Sequence, residues 1–158
     1  MEFRIVDTEE LLKNFKPYHQ SMDKITKEKD KFTTRVESIR DEIEGIVKDS
    51  QIILDEKTMQ TKQLRFKELQ AEALELENEF REMISKLQNE ELDKNFRAVS
   101  SVIEEWSGKN KIEHVFNKLQ LAYTNGTSDC TNEVIDLFKE KELFEEYIQP
   151  DTSVPTER

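Results

Sequence analysis

MDKITKEKDKFTTRVESIRDEIEGIVKDSQII, residues 22 to 53, decides the fold. Through Met22, Ile25, Lys29, Phe32, Val36, Ile39, Ile43, Ile46, Ser50 and Ile53 the steps alternate between three and four, and eight of these ten positions are apolar. That spacing draws one apolar stripe along a helix, the a and d positions of a heptad. Lys24, Lys27, Glu28, Asp30, Arg35, Glu37, Arg40 and Glu44 fall between them, on the solvated sides. So narrow a stripe needs another helix to cover it.

A second series supplies the partner. Phe66, Leu69, Ala73, Leu76, Phe80, Met83 and Leu87 repeat the steps of three and four, and after a step of five the pattern resumes at Leu92, Phe96, Val99, Ile103 and Trp106. The irregular step predicts local unwinding or a bend between Gln88 and Glu91. Between the two series, Leu54 to Lys62 is short and polar, so the chain is expected to fold back as an antiparallel pair, with Asp55 or Thr58 capping the returning helix. One unbroken helix of about 85 residues is the alternative, since neither Gly nor Pro marks the tip. Arms of ~35 to 45 residues would be about 50 to 65 Å long at ~1.5 Å per residue.

The flanks change period. Glu2 to Val6 reads as a short strand, and Asp7 with Glu10 as a capping box opening a helix from Thr8 to Phe15 that carries Leu11, Leu12 and Phe15 on one side. Pro17 breaks or re-initiates the helix before the long arm. Beyond Gly108, Lys111 to Phe116 and Leu119 to Tyr123 read as a two-stranded hairpin about Asn117-Lys118. Asn125-Gly126 makes a turn, and Thr131 is placed to cap a last helix through Val134, Ile135, Leu137 and Phe138. The expected fold is α+β, mainly α: a discontinuous β hub from residues 1–16 and 109–149, a helical arm from 17–108, and a flexible tail at 150–158 that holds Pro150 and Pro155. Three short strands are too few for a monomeric core. Pairing between subunits would close the sheet, through Phe3, Ile5, Val115, Phe116, Leu119, Leu121 and Tyr123.

Composition fits an elongated, helical molecule. Of 158 residues, 37% are charged and only 35% hydrophobic, with three Gly, three Pro and a net charge of −11. No run approaches the ~18 to 20 apolar residues of a membrane span, so no membrane insertion is expected. Phosphate-backbone binding needs clustered Lys and Arg, so nucleic acid is not an expected partner either. The N-terminus shows no basic and then apolar signal segment as written, which leaves a cytoplasmic site, or a trimmed chain, as the expectation.

Few residues invite chemistry. His19 and His114 are far apart and have no Cys or carboxylate at ligand spacing; both read as surface or strand-edge residues. Cys130 has no basic neighbour in sequence to lower its pKa and reads as inert. Glu9-Glu10, Glu90-Glu91 and Glu145-Glu146 are adjacent rather than facing, the pattern of a solvated helix face. Gly45, Gly108 and Gly126 do not form a phosphate loop, and Asn125-Gly126-Thr127, though it fits a glycosylation sequon, reads as a turn. Neither an enzyme, a metal site nor a cofactor is expected.

The order of strand, short helix, long helical hairpin, strand pair and terminal helix resembles the Skp/OmpH family of periplasmic chaperones. The resemblance is carried by Phe3-Arg4-Ile5-Val6-Asp7 with Glu10-Leu11-Leu12, by Val115, Phe116, Asn117 and Tyr123 within Ile112 to Tyr123, and by Asp129-Cys130-Thr131-Asn132-Glu133-Val134-Ile135. It implies a homotrimer with an intersubunit β-barrel as its body and three helical tentacles, holding unfolded outer-membrane proteins without ATP in the periplasm. The residues named for subunit contact would then form the trimer interface. The acidic composition, with a sequence pI near 4.8, departs from the basic members of the family and leaves the client class open.

Ile52, Leu54, Met59 and Leu64 cluster where a hairpin has fewest internal partners, and are candidates for gripping a client. Two non-enzymatic readings follow. Either the arms bind non-native chains weakly at many points, or the trimer is a structural or assembly protein, virus-encoded or part of a virion, whose arms dock a specific partner. Dispersed apolar groups on the arms would mark the first, one contiguous patch the second. A dimeric coiled-coil adaptor ranks behind both, because it leaves the strands without a purpose.

Overall fold

The computed structural model describes residues 2–52 and 54–149; the seam position Ile53 and the expected tail at 150–158 lie outside the described residues. The elements are β1 (Phe3–Val6), α1 (Thr8–Lys13), α2 (Lys16–Asp49), α3 (Glu56–Asn110), β2 (His114–Asn117), a single 3₁₀ turn (Lys118–Gln120) and α4 (Thr131–Glu140). They gather into two compact units, Met1–Ser21 with Glu91–Arg158, here called the head, and Met22–Glu90, the arm.

In the head, β1 and β2 pair in parallel, with Phe3 opposite His114, Arg4 opposite Val115, Ile5 opposite Phe116 and Val6 opposite Asn117. Parallel strands need a long crossover, and here residues 7–113 supply it. The hairpin expected from 111–116 and 119–123 does not form. Asn117 Oδ1 accepts from the Leu119 N–H at 3.2 Å, and the chain winds into the 3₁₀ turn where the second strand was expected. The other edge of β1 is taken by residues 128–130: Ile5 N–H donates to the Ser128 carbonyl and Cys130 N–H to the Ile5 carbonyl, both at 2.9 Å. Alternation identifies a strand but not its neighbour, which explains the error.

Two caps also differ from expectation. Asp7 Oδ1 accepts from the Glu10 N–H at 3.1 Å, as expected, but the Asp7 N–H donates to Thr131 Oγ1 at 2.9 Å and not to the Glu10 side chain. That hydroxyl therefore ties the first turn of α1 to the start of α4. Cys130 occupies the cap position of α4 and makes no side-chain cap bond. Both α3 and α4 end by the same device: a residue at positive φ (Lys111 at 56°, Glu142 at 58°), followed by an N–H that reaches back five residues, from Ile112 to Ser107 and from Leu143 to Phe138.

Val6, Leu11, Leu12, Phe15, Val99, Val102, Trp106, Val134, Leu137 and Phe138 fill the head core, where the rings of Phe15 and Phe138 lie 5.0 Å apart. Each buried aromatic removes ~150 to 250 Å² from water, the dominant favourable contribution in a unit this small. Below this core Ser21 Oγ–H donates to Glu91 Oε2 at 2.6 Å, and Asn95 Nδ2 donates to Ser21 Oγ and to the Glu91 carbonyl at 2.8 and 2.7 Å. All three residues are buried.

In the arm, α2 and α3 run antiparallel. Phe32 stacks on Phe80 at 3.9 Å and 11°, the Arg65 guanidinium forks onto Glu42 at 2.6 and 3.0 Å, and Lys62 meets Asp49 at 2.6 Å, so partners descend α3 as they ascend α2. Asp55 caps α3, accepting from the Thr58 N–H and hydroxyl at 2.8 Å each. The stripe of α2 follows the expected heptad, with Ile25 and Ile39 buried.

The stripe of α3 departs from the expected one at three positions. Its buried and half-buried positions include Leu69, Ala73, Leu76, Phe80, Ile84, Leu87, Glu91, Asn95, Val99, Val102 and Trp106, so Ile84 replaces the expected Met83, while Leu92 and Phe96 are exposed. Ala73, Ile84, Asn95 and Trp106 are spaced by eleven, as are Leu69, Phe80, Glu91 and Val102. Eleven residues in three turns give ~3.67 per turn, close to an unstrained helix. The helix thus runs unbroken through Gln88 to Glu91, without the unwinding expected there.

Candidate functional site

Two surfaces carry apolar side chains that the chain itself does not cover. The first is the outer face of the head sheet. Alternation turns Val6 and Val115 to the core and sets Phe3, Ile5, His114 and Phe116 on the opposite face, where Ile5 is buried but Phe3 and Phe116 are exposed, their rings edge to face at 6.1 Å. Beyond β2, Leu119 is 65% exposed and Tyr123 83%. Of the residues named for subunit contact, Phe3, Phe116, Leu119 and Tyr123 are therefore exposed, Val115 and Leu121 half-buried, and Ile5 is buried.

The second surface is the arm. Ile52 and Leu64 are 62% and 63% exposed and Met59 is exposed, whereas Leu54 is half-buried in the wall of a groove of about 430 Å³ near the turn. Val47, Leu74 and Met83 are exposed as well. Leu74 and Met83 were not identified as surface residues by the heptad reading; an eleven-residue count from Trp106 through Asn95 and Ile84 would have turned Met83 outward, had the polar Asn95 not hidden the repeat.

Burial, reinforced by Glu133 and Asp129, pushes the Cys130 thiol up to about 11, and its Sγ–H donates to the Ile5 carbonyl at 3.4 Å. His19 hydrogen-bonds the Lys13 carbonyl and lies against Tyr18 and Tyr147. Glu105 is held down to about 2, first by its hydrogen bond to Lys141 at 2.6 Å and then by Lys109. Among the described residues no three His, Cys, Asp or Glu side chains gather as a metal site, and no helix is long and apolar enough to cross a membrane.

A two-stranded parallel sheet and a long antiparallel helix pair, with uncovered apolar surface in both units, define a mainly helical hairpin fold. The sequence profile of the outer membrane proteins of OmpH-like type matches residues 2–138, and the chain belongs to that family. Among solved structures it is similar to an OmpH-like outer membrane chaperone from Caulobacter crescentus CB15, with a TM-score of 0.65 at 11% identity, over 95% of this chain and 92% of that one. No curated protein matches the sequence.

Proposed function

We propose that this protein is an ATP-independent holdase-type chaperone that assembles as a homotrimer through its head sheets and binds non-native proteins between the helical arms. The observation that carries the reading is the distribution of exposed apolar side chains on the arm. Val47, Ile52, Met59 and Leu64 lie near the turn, Val47 and Met59 in the wall of the groove there, while Leu74 and Met83 stand farther along α3, so exposed apolar side chains extend over the arm among charged residues. Many weak contacts suit clients of no fixed shape, and three arms acting together gain avidity that none has alone. One contiguous patch would instead have favoured the docking scaffold.

The head supports the trimer. A two-stranded sheet is marginal by itself, and its outer face presents Phe3 and Phe116 to water beside Leu119 and Tyr123. Family membership and the chaperone-like neighbour agree with this reading. Diluting an unfolded β-barrel protein into the purified chain, with light scattering for aggregation and for mass, tests both parts. A species of about 56 kDa, three copies of the 18.8 kDa chain, that suppresses aggregation near stoichiometry is expected. A trimer without suppression would move the function to a structural or assembly role. Phe116→Asp buries a charge at the proposed interface and should yield monomers; an intact trimer at sedimentation equilibrium would refute the interface.

A further inference from the structure

The groove near the arm turn has an unusual lining. Ile46, Val47, Leu54, Met59 and Phe66 provide its apolar part, and among the described residues no carboxylate lines it, on a chain with 35 acidic and 24 basic residues. The larger groove beside Phe32 and Phe80, about 660 Å³, includes Glu77. Two lysines reach the first groove. Lys62 is held by Asp49, whereas Lys67 is exposed. Among the described residues, the side chains of Lys67, Gln63 and Gln70 enter no hydrogen bond or ion pair, which leaves an ammonium and two amides at the rim without a protein partner among those residues.

An occupant that satisfies this lining offers an apolar side chain to Met59 and Phe66, an anion to Lys67, and both donors and acceptors to Gln63 and Gln70. Peptide groups meet the last requirement and an acyl chain does not. At about 430 Å³ the groove lies within the ~300 to 1,000 Å³ of small-ligand sites, room for a few side chains but not for a folded partner. We infer that it seats an extended segment of a non-native protein in which an apolar side chain stands next to Asp or Glu. The inference deepens the holdase reading, on which it rests for the source of the segment, and it assigns the arm a preference within its clients.

The test uses the full chain and two fluorescent ten-residue peptides that share a central Leu-Phe pair, one flanked by Asp and the other by Lys, titrated by anisotropy. The Asp peptide should bind about three- to fivefold more tightly at low salt, and the gap should close towards 1 M salt, as expected for a partly exposed ion pair. Lys67→Glu should reverse the preference, Met59→Ser should weaken both peptides, and Leu74→Ser, also exposed but outside the groove, should change neither. Equal affinities, or a preference that survives Lys67→Glu, would overturn the inference. So would oleate binding that depends on Lys67 without peptide binding, or an oligomer dissolved by Met59→Ser, which would make an acyl anion or a second copy the occupant. Suppression of aggregation without discrimination would remove only the groove assignment; discrimination without suppression would remove only the holdase reading.

Discussion

The head and the arm solve the same problem with different resources. In the head, β1, α1, α3 and α4 meet from several sides, and Leu11, Phe15, Val134 and Phe138 reach essentially complete burial. In the arm, two helices have only each other. Ile39, Leu69 and Leu76 are buried, while Phe32, Val36, Ile43, Ile46 and Ala73 stay partly in water. Two cylinders touch along one line, so a stripe is the most they can hide. Apolar side chains near that line must stay half-solvated, and under the proposed function they would serve as an adaptable binding surface.

Four substitutions or titrations test that contrast. Phe138→Ala should cost most, about 3 to 5 kcal/mol, because a filled core collapses poorly around the lost ring. Denaturant unfolding would read the loss, and amide exchange should accelerate chiefly in residues 2–21 and 91–149. Leu69→Ala should cost about 2 to 3 kcal/mol, nearer the low end for buried leucines since its partly buried neighbours can shift into the space, with exchange accelerating in residues 22–90 instead. Exchange that rose uniformly in either variant would erase the distinction between the units. Asn95→Ala should cost about 1 to 2 kcal/mol by removing the donor to Ser21 Oγ and the Glu91 carbonyl. A neutral outcome in thermal unfolding would mean that water replaces the amide.

The smallest effect belongs to Glu105. Its carboxyl titrates at about 2 in the folded head, against 4.5 ordinarily, so its ion pairs favour folding above pH 4.5 and lose that contribution as pH falls toward 2. Lys141→Met should therefore lower Tm slightly at pH 7, with the gap to the parent shrinking below pH 4.5 and vanishing near pH 2. Because the pair is partly exposed, salt should shrink it too. A gap unchanged at pH 2 would place the effect in packing.

Much of this was legible in the residues. The heptad from Met22 to Ser50, the cap at Asp55, the strand before Asp7 and the apolar run of α4 all follow from local spacing and local hydrogen bonds. What failed was nonlocal. Nothing within residues 119–123 says that β1 already has a neighbour in 128–130, and nothing in Thr131 itself says that its hydroxyl serves Asp7, 124 residues away. Glu91 and Asn95 were missed on the buried stripe because a polar residue breaks an apolar count, although their bonds to Ser21 make burial tolerable.

Sequence by itself determined that this chain pairs two long helices, because period is a property of consecutive residues and survives in any context. Tertiary structure decided the parallel partnership of β1 and β2, the eleven-residue stripe of α3, and which apolar side chains stay in water. Each depends on what occupies the space beside a residue, and chain neighbours do not encode that.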